Sequence, residues 1–507
     1  MRRRLIALLG LGLILTAMFI IAGELEDGGK RDRLVYALSD YPSTLDPTTV
    51  TDERGAAVLI NIFEGLVRFE PGGTGVKPCL ARDWEVSNDA RTWTFYLRDN
   101  VTFTDGTPLD AEAVKAGVSS QLNSETAGPY ASFIYGPVTR VETPDHNTVV
   151  FHLQHPYAPF IRNLAMLPAA VTRPTSDKGL LLGTGPFVPT VVEPDRIILK
   201  ANSGYWDGPP RLKEVVFTVI PDPVERWRAL AQGRADVAEN SGAALPAGHK
   251  GLSVTQTPGL DLGYLAFYTN KKPFDNPTMR RAVSLAIDRQ AIVNYLFPER
   301  GIPAAGPLPP GILGYHPDLG GDTYDLEHAC QLLEEAGYDG AEIVVVTYKD
   351  TRPYNPAGGE KLALLLQEQL GQAGIRVRVQ AYDWETCKQA IHRQEGHAFV
   401  YGWVGDNGDP DNFLYNLLAS ARIDSGLNAA RYSNAHVDML LGRAQQAHDD
   451  ELRERLYHQA QELIVQDAPW AFLNHRLETA AFSQSVKNLT LQPTGGVYLH
   501  RVYKNDQ

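Results

Sequence analysis

The sequence predicts an α/β protein of more than one domain, and three observations predict it. The chain has 507 residues, more than a single hydrophobic core usually spans. Its carboxyl-terminal part alternates apolar runs at 342–348 and 375–382 with helical patterns at 325–337, 360–374 and 435–466. That βαβ order is the pattern of a largely parallel sheet. Its amino-terminal part carries period-two segments at 84–87 and 92–97, which fit an antiparallel sheet.

The elements follow in chain order. Residues 34–38 read as the first strand, and 56–64 as a helix that Gly65 stops. Asp105-Gly106-Thr107-Pro108 is a tight turn. Asp110 then caps a helix from Ala111, because a short carboxylate accepts from the free N–H groups of a first turn. Residues 148–153 form another strand, and 183–187 a glycine-rich crossing. Strands at 197–199 and 215–220 flank the aromatic turn Tyr205-Trp206, followed by a helix at 224–232. A strand is expected at 263–269 and a helix at 276–296, opened by Pro277 in its first turn. Five prolines and three glycines make 303–317 an extended surface crossing.

Composition narrows the function. Sixty acids against 47 bases leave a net charge of −13, which argues against nucleic-acid binding, where a basic stripe must displace counterions. Cys79, Cys330 and Cys387 lie far apart with no Cys-x-x-Cys pair, so three unpaired thiols are expected. Arg2, Arg3 and Arg4 precede an apolar run from 5 to 23, the pattern of an export signal or an uncleaved membrane anchor. Both place the remainder outside the cytoplasm. Residues 24–33 are a polar linker, and no second spanning run argues for a channel or permease.

The most informative stretch is 402–413. Residues 398–401 read as a buried strand, after which Asp406, Asp409 and Asp411 crowd among the turn signals Asn407-Gly408 and Asp409-Pro410. An acidic loop at a strand end can offer a carboxylate to something small and cationic. Catalytic patterns are missing: there is no Gly-x-Ser-x-Gly elbow, no His-Glu-x-x-His and no phosphate-binding glycine loop. His152 and His155 fall on opposite faces of a strand-like run, and His392 and His397 read as surface residues. The three acids fail the spacing of a calcium loop whether counted from Asp406 or Asp409. No catalytic residue, metal or cofactor is expected.

Several segments carry a resemblance: 80–87, 93–98, 103–108, 183–187, Tyr205-Trp206, and Arg280-Arg281-Ala282 followed by Ala286-Ile287-Asp288. On these the chain resembles the bacterial extracellular solute-binding proteins of family 5, from about Leu34 to the carboxyl end. The resemblance implies a two-lobed, type II periplasmic-binding-protein-like fold with an additional α/β subdomain and a ligand cleft between the lobes. Domain I would comprise 34–60, 182–270 and 480–507, domain II 61–181, and domain III 271–479. Residues 351–356 and the acidic loop are similar to the dipeptide-binding branch. By that likeness Arg352 holds a ligand carboxylate and Asp406 its α-ammonium. Trp384 lines the pocket and Trp403 lies beside the amine site, with Tyr354 and Gly405 in the same two segments. The amino-terminal lobe would close over them from around 39–51. The implied partners are a short peptide and the permease of an ABC importer, with the protein a monomer. Rival ligands within the family are haem, a nickel chelate, glutathione and oligopeptides. A membrane-anchored sensor or chaperone-like receptor is the rival of a different class.

The residue types suit a zwitterion. Arginine grips a carboxylate with a planar fork, and aspartate accepts from an ammonium. Two such groups about 6–7 Å apart would measure the length of a dipeptide.

Overall fold

The computed structural model describes residues 31–123, 125–175, 181–239, 250–319 and 323–505. The apolar run at 5–23, read as a signal or anchor, lies outside them, as does most of the linker. Among the described residues, no helix is long and apolar enough to cross a membrane.

One long strand, Trp470–Ser483, ties the lobes together. Its first half pairs with Asp261–Phe267 and Gly301–Pro303. Its second half pairs with Val237–Glu239 and Leu252–Pro258. The chain therefore passes between the two groups of strands twice, once just before Asp261 and once near Arg476.

In the amino-terminal lobe Arg33–Leu38 lies parallel to both Glu214–Val219 and Val237–Glu239, and Arg196–Ala201 extends the sheet antiparallel. In the carboxyl-terminal lobe Ile343–Tyr348 sits between parallel neighbours Val377–Tyr382 and Ala398–Val404. The sheet is mixed and not largely parallel: Asp261–Phe267 runs antiparallel to Ala398–Val404 and to Trp470–Ser483. Asp261–Phe267 enters the lobe and Trp470–Ser483 leaves it, and side by side they run in opposite directions. Ile343–Tyr348 is buried along its whole length, which is why it reads as a continuous apolar run.

The subdomain is a four-stranded antiparallel sheet in the order Ala81–Val86, Thr92–Leu97, Thr148–Leu153, Val138–Asp145. Its helix Ala111–Leu122 begins where expected, with the Ala113 amide donating to the Asp110 carboxylate at 2.8 Å. Phe151 meets Phe95 and Phe160 edge to face, with centroids 5.7 and 5.4 Å apart.

Two family-like segments converge on one buried carboxylate. Glu64 accepts from Tyr205 Oη at 2.6 Å, Trp206 Nε1 at 2.9 Å and Thr184 Oγ1 at 2.9 Å. Burial raises its pKa, and those three donors offset part of the rise. The motifs at 183–187 and 205–206 therefore serve the scaffold.

Capping explains most departures from the expected elements. The helix expected at 276–296 is two, Pro277–Leu285 and Arg289–Leu296, because Asp288 takes the Ala291 amide at 2.9 Å and opens a new first turn. The helix expected at 435–466 likewise divides into Ala435–Gln446 and Asp450–Asp467, restarted by Asp449. The helix placed at 56–64 spans Glu53–Leu59, capped by Asp52, while Ile62 and Phe63 enter the core from turns. All three cysteines are free thiols.

Candidate functional site

Ala398–Val404 ends at the acidic loop, and the helix Pro410–Leu418 begins inside it. The sequence reading had no helix there. Asp409 is its N-cap, accepting from the Asp411 amide at 2.9 Å, and Pro410 fills the first position. Gly405 permits the tight return, since a Cβ on it would lie 2.5 Å from the Phe413 ring.

The three acids have separate fates. Asp409 is fully buried, and Arg453 Nη2 reaches its two oxygens at 2.7 and 2.9 Å. Arg162 of the subdomain adds a contact at 3.4 Å. Burial opposes ionisation of Asp409, but the two guanidinium groups outweigh it and hold the carboxyl below its ordinary range. Asp411 is buried in the helix's first turn and accepts from Gln445 Nε2 at 3.1 Å. Burial, then the charge of Asp409, pushes it up to about 7.

Asp406 alone faces open space. It is half-buried, and no cation lies within ion-pair distance among the described residues. Burial pushes it up to about 6, offset in part by the Tyr130 hydroxyl, which donates at 3.0 Å, and by the Asn412 amide. The Asp406 carboxylate borders two cavities. A smaller one, about 160 Å³, also touches Gly405, Val50, Thr51, Leu260 and Arg476. A larger one, about 640 Å³, touches Trp403, Asn412, Tyr415 and Tyr157. Both are lined from the two lobes together.

Arg352 sits in a tight turn in which it and Asn355 exchange backbone hydrogen bonds at 3.0 and 2.8 Å. Its guanidinium lies 3.6 Å from the centre of the Trp384 ring. Trp384 stacks on Tyr401, with centroids 5.3 Å apart and planes 7° from parallel. Tyr401 and Trp403, two apart on one strand, share a face. Trp384 thus ties Arg352 to the strand that carries Trp403 and leads into the acidic loop, although neither Arg352 nor Trp384 borders either cavity. Arg352 has no carboxylate within ion-pair distance among the described residues, and its Nε is buried without a partner. Trp403 Nε1 donates to Asn412 Oδ1 at 2.6 Å, which fixes the ring beside Asp406. Tyr354 is buried against Gly402, where a Cβ would lie 2.3 Å from its ring; it packs the strand and borders neither cavity.

The amino-terminal contribution differs from the expectation. Val50 and Thr51 of the anticipated 39–51 segment do reach the smaller cavity. The hydrogen bonds to the acidic loop come instead from the subdomain: Tyr130 to Asp406, Asn163 with Asn407 at 2.6 Å, and Arg162 to Asp409. Nothing local to Tyr130 or Arg162 marks them in the sequence, because their partners lie 276 and 247 residues away.

Residues 75–425 match the family described as bacterial extracellular solute-binding proteins, family 5 Middle. The dipeptide-binding protein of Escherichia coli (strain K12) is 30% identical over 529 residues, covering 98% of each chain. Heme-binding protein A of Haemophilus influenzae is 32% identical over 497 residues, covering 91% of this chain and 90% of the relative. The solved structure of HbpA2 from Haemophilus parasuis superposes with a TM-score of 0.87 at 28% identity, over 94% of this chain and all of that one. With its two lobes, its doubly crossed sheet and a cleft between them, this chain belongs to the bacterial extracellular solute-binding proteins of family 5.

Proposed function

We propose that the protein captures short zwitterionic peptides, dipeptides above all, outside the cytoplasm and delivers them to the permease of an ABC importer. It acts by binding and not by catalysis, as a monomer, and has no role with nucleic acid. One observation carries the reading: Arg352 and Asp406 are opposite charges without opposite-charge partners among the described residues, one held on Trp384, which stacks on Tyr401, and the other in the loop that ends the Tyr401 strand. Unpaired half-buried charges are costly, and a ligand that brings the complementary pair relieves both costs. A carboxylate would take the Arg352 fork in place of water, and an ammonium would join Tyr130 on Asp406. Trp384 holds the guanidinium plane, and Trp403 walls the ammonium side. The dipeptide-binding relative supports this ligand class. Closure of the lobes would strengthen both contacts by excluding water.

Thermal melts test the reading. Free dipeptides should raise the melting temperature, whereas N-acetylated and C-amidated forms should leave it nearly unchanged. Equal stabilisation by the blocked forms would defeat it. A haem ligand, suggested by the Haemophilus influenzae relative, would instead stabilise the protein with no dependence on free peptide termini.

A further inference from the structure

The larger cavity holds a cation that the peptide-terminus reading does not use. Arg422 closes the short 3-10 turn Ser420–Arg422 and lines the same 640 Å³ space as Asp406. Its backbone is pinned, since its carbonyl accepts from the Asn428 amide at 3.1 Å and the Ser425 hydroxyl at 2.9 Å. Its guanidinium rests over Tyr415, 5.2 Å from the ring centre. Among the described residues no carboxylate forms an ion pair with it, and its Nε is buried without a hydrogen-bond partner. Asp411, whose charge it influences, is buried and already bonded to Gln445. The same cavity also carries the polar side chains Asn416 and Gln445, beside the apolar Leu427.

Such a fork, held by an aromatic face and lacking an acid, fits a planar anion bidentately. The ligand geometry says which anion. A peptide's α-ammonium and its first side chain branch from one carbon, with bonds of about 1.5 Å. An ammonium seated on Asp406 therefore releases that residue's substituents into one of the two cavities bordering the carboxylate. The smaller cavity offers Val50, Ile60 and Leu260 to an apolar chain, and the larger offers Arg422.

Resting on the peptide reading above, we infer that Arg422 selects ligands whose amino-terminal residue carries a second carboxylate. That carboxylate can be the side chain of an α-linked acidic residue or the free α-carboxylate of a γ-linked glutamyl residue.

Calorimetric titration of the full chain with Glu-Ala, γ-Glu-Ala, Gln-Ala and Ala-Ala separates these sources and tests the inference. At least one acidic ligand should bind about tenfold tighter than Gln-Ala. That ratio should fall to about one in Arg422→Gln and survive in part in Arg422→Lys, which keeps the charge but loses the fork. Glu-Ala alone gaining would assign the side-chain source, and γ-Glu-Ala alone the γ-linked one. Binding of Gln-Ala and Ala-Ala without any acidic preference, or a preference that persists in Arg422→Gln, would overturn the role of Arg422 and leave the peptide reading standing. Failure of all four ligands to bind would overturn both.

Discussion

At the scale of single residues, the acidic loop sorts three chemically identical side chains by their surroundings. Asp409 is neutralised, Asp411 is hydrogen-bonded into a helix start, and Asp406 waits without a cation. The position of Asp406 has a stability cost. Its ordinary value of 3.8 rises to about 6, so the folded state binds the proton more tightly than the unfolded chain. The contribution of Asp406 to the stability of the ligand-free protein should therefore fall as pH rises from about 4 through about 6, by roughly 3 kcal/mol. Asp406→Asn should remove that loss, melting higher than the parent at neutral pH and showing no gain at about pH 4, while binding dipeptides at least about tenfold more weakly. Paired melts and calorimetry would check both halves. Binding has the opposite pH sign: an ammonium needs the ionised carboxylate, so affinity should drop as pH falls below about 6. Arg352→Ala should weaken binding about tenfold or more without unfolding the protein, because its fork faces Trp384 and makes no ion pair among the described residues. Unchanged affinity would remove Arg352 from the site. Both residues stand out in the sequence by the motifs around them. Their lack of opposite-charge partners is not legible there, since it depends on what the rest of the chain brings near them.

At the scale of elements, the loop also fastens the subdomain to the carboxyl-terminal lobe. Arg453 and Arg162 meet at Asp409 from residues 44 and 247 positions away. Arg453→Met should destabilise the fold by roughly 3–5 kcal/mol, because it strands a fully buried carboxylate; denaturant unfolding would measure it, and a loss under about 1 kcal/mol would mean the pair is weakly coupled to folding. Element boundaries show where sequence reading succeeded. Asp110 announced its helix because capping acts over three residues. Asp288 and Asp449 restarted helices inside runs whose apolar spacing continued across the break, and periodicity alone does not register such a break. The Pro410–Leu418 helix was hidden for the converse reason: its first turn is filled with turn-forming residues.

At the scale of the whole molecule, the chain crosses twice between the lobes, and a charge cluster sits at those crossings. Arg476 on the long strand contacts Glu53 of the amino-terminal lobe at 2.8 Å, Asp261 at 3.2 Å, and Glu478. Burial pushes Glu478 up to about 8, against the pull of Arg476. If the lobes close about these crossings, a bound dipeptide should lower the radius of gyration in solution scattering, and an amidated one should leave it unchanged. An identical scattering profile with and without free dipeptide would contradict closure.

The sequence by itself determined the α/β class, the first strand, the antiparallel subdomain, the helix that Asp110 caps and the two motifs that contain Arg352 and Asp406. Each of these is written in neighbours a few residues apart, where periodicity and capping operate. Tertiary structure alone decided that the sheet is mixed, that Glu64 gathers the scaffold motifs, that Tyr130 and Arg162 reach the acidic loop from the subdomain, and which acid of the loop stays without a cation among the described residues. Those outcomes depend on charges and hydrogen-bond partners brought together from hundreds of residues apart, and an unpaired charge is defined by its distance from every other group in the folded chain.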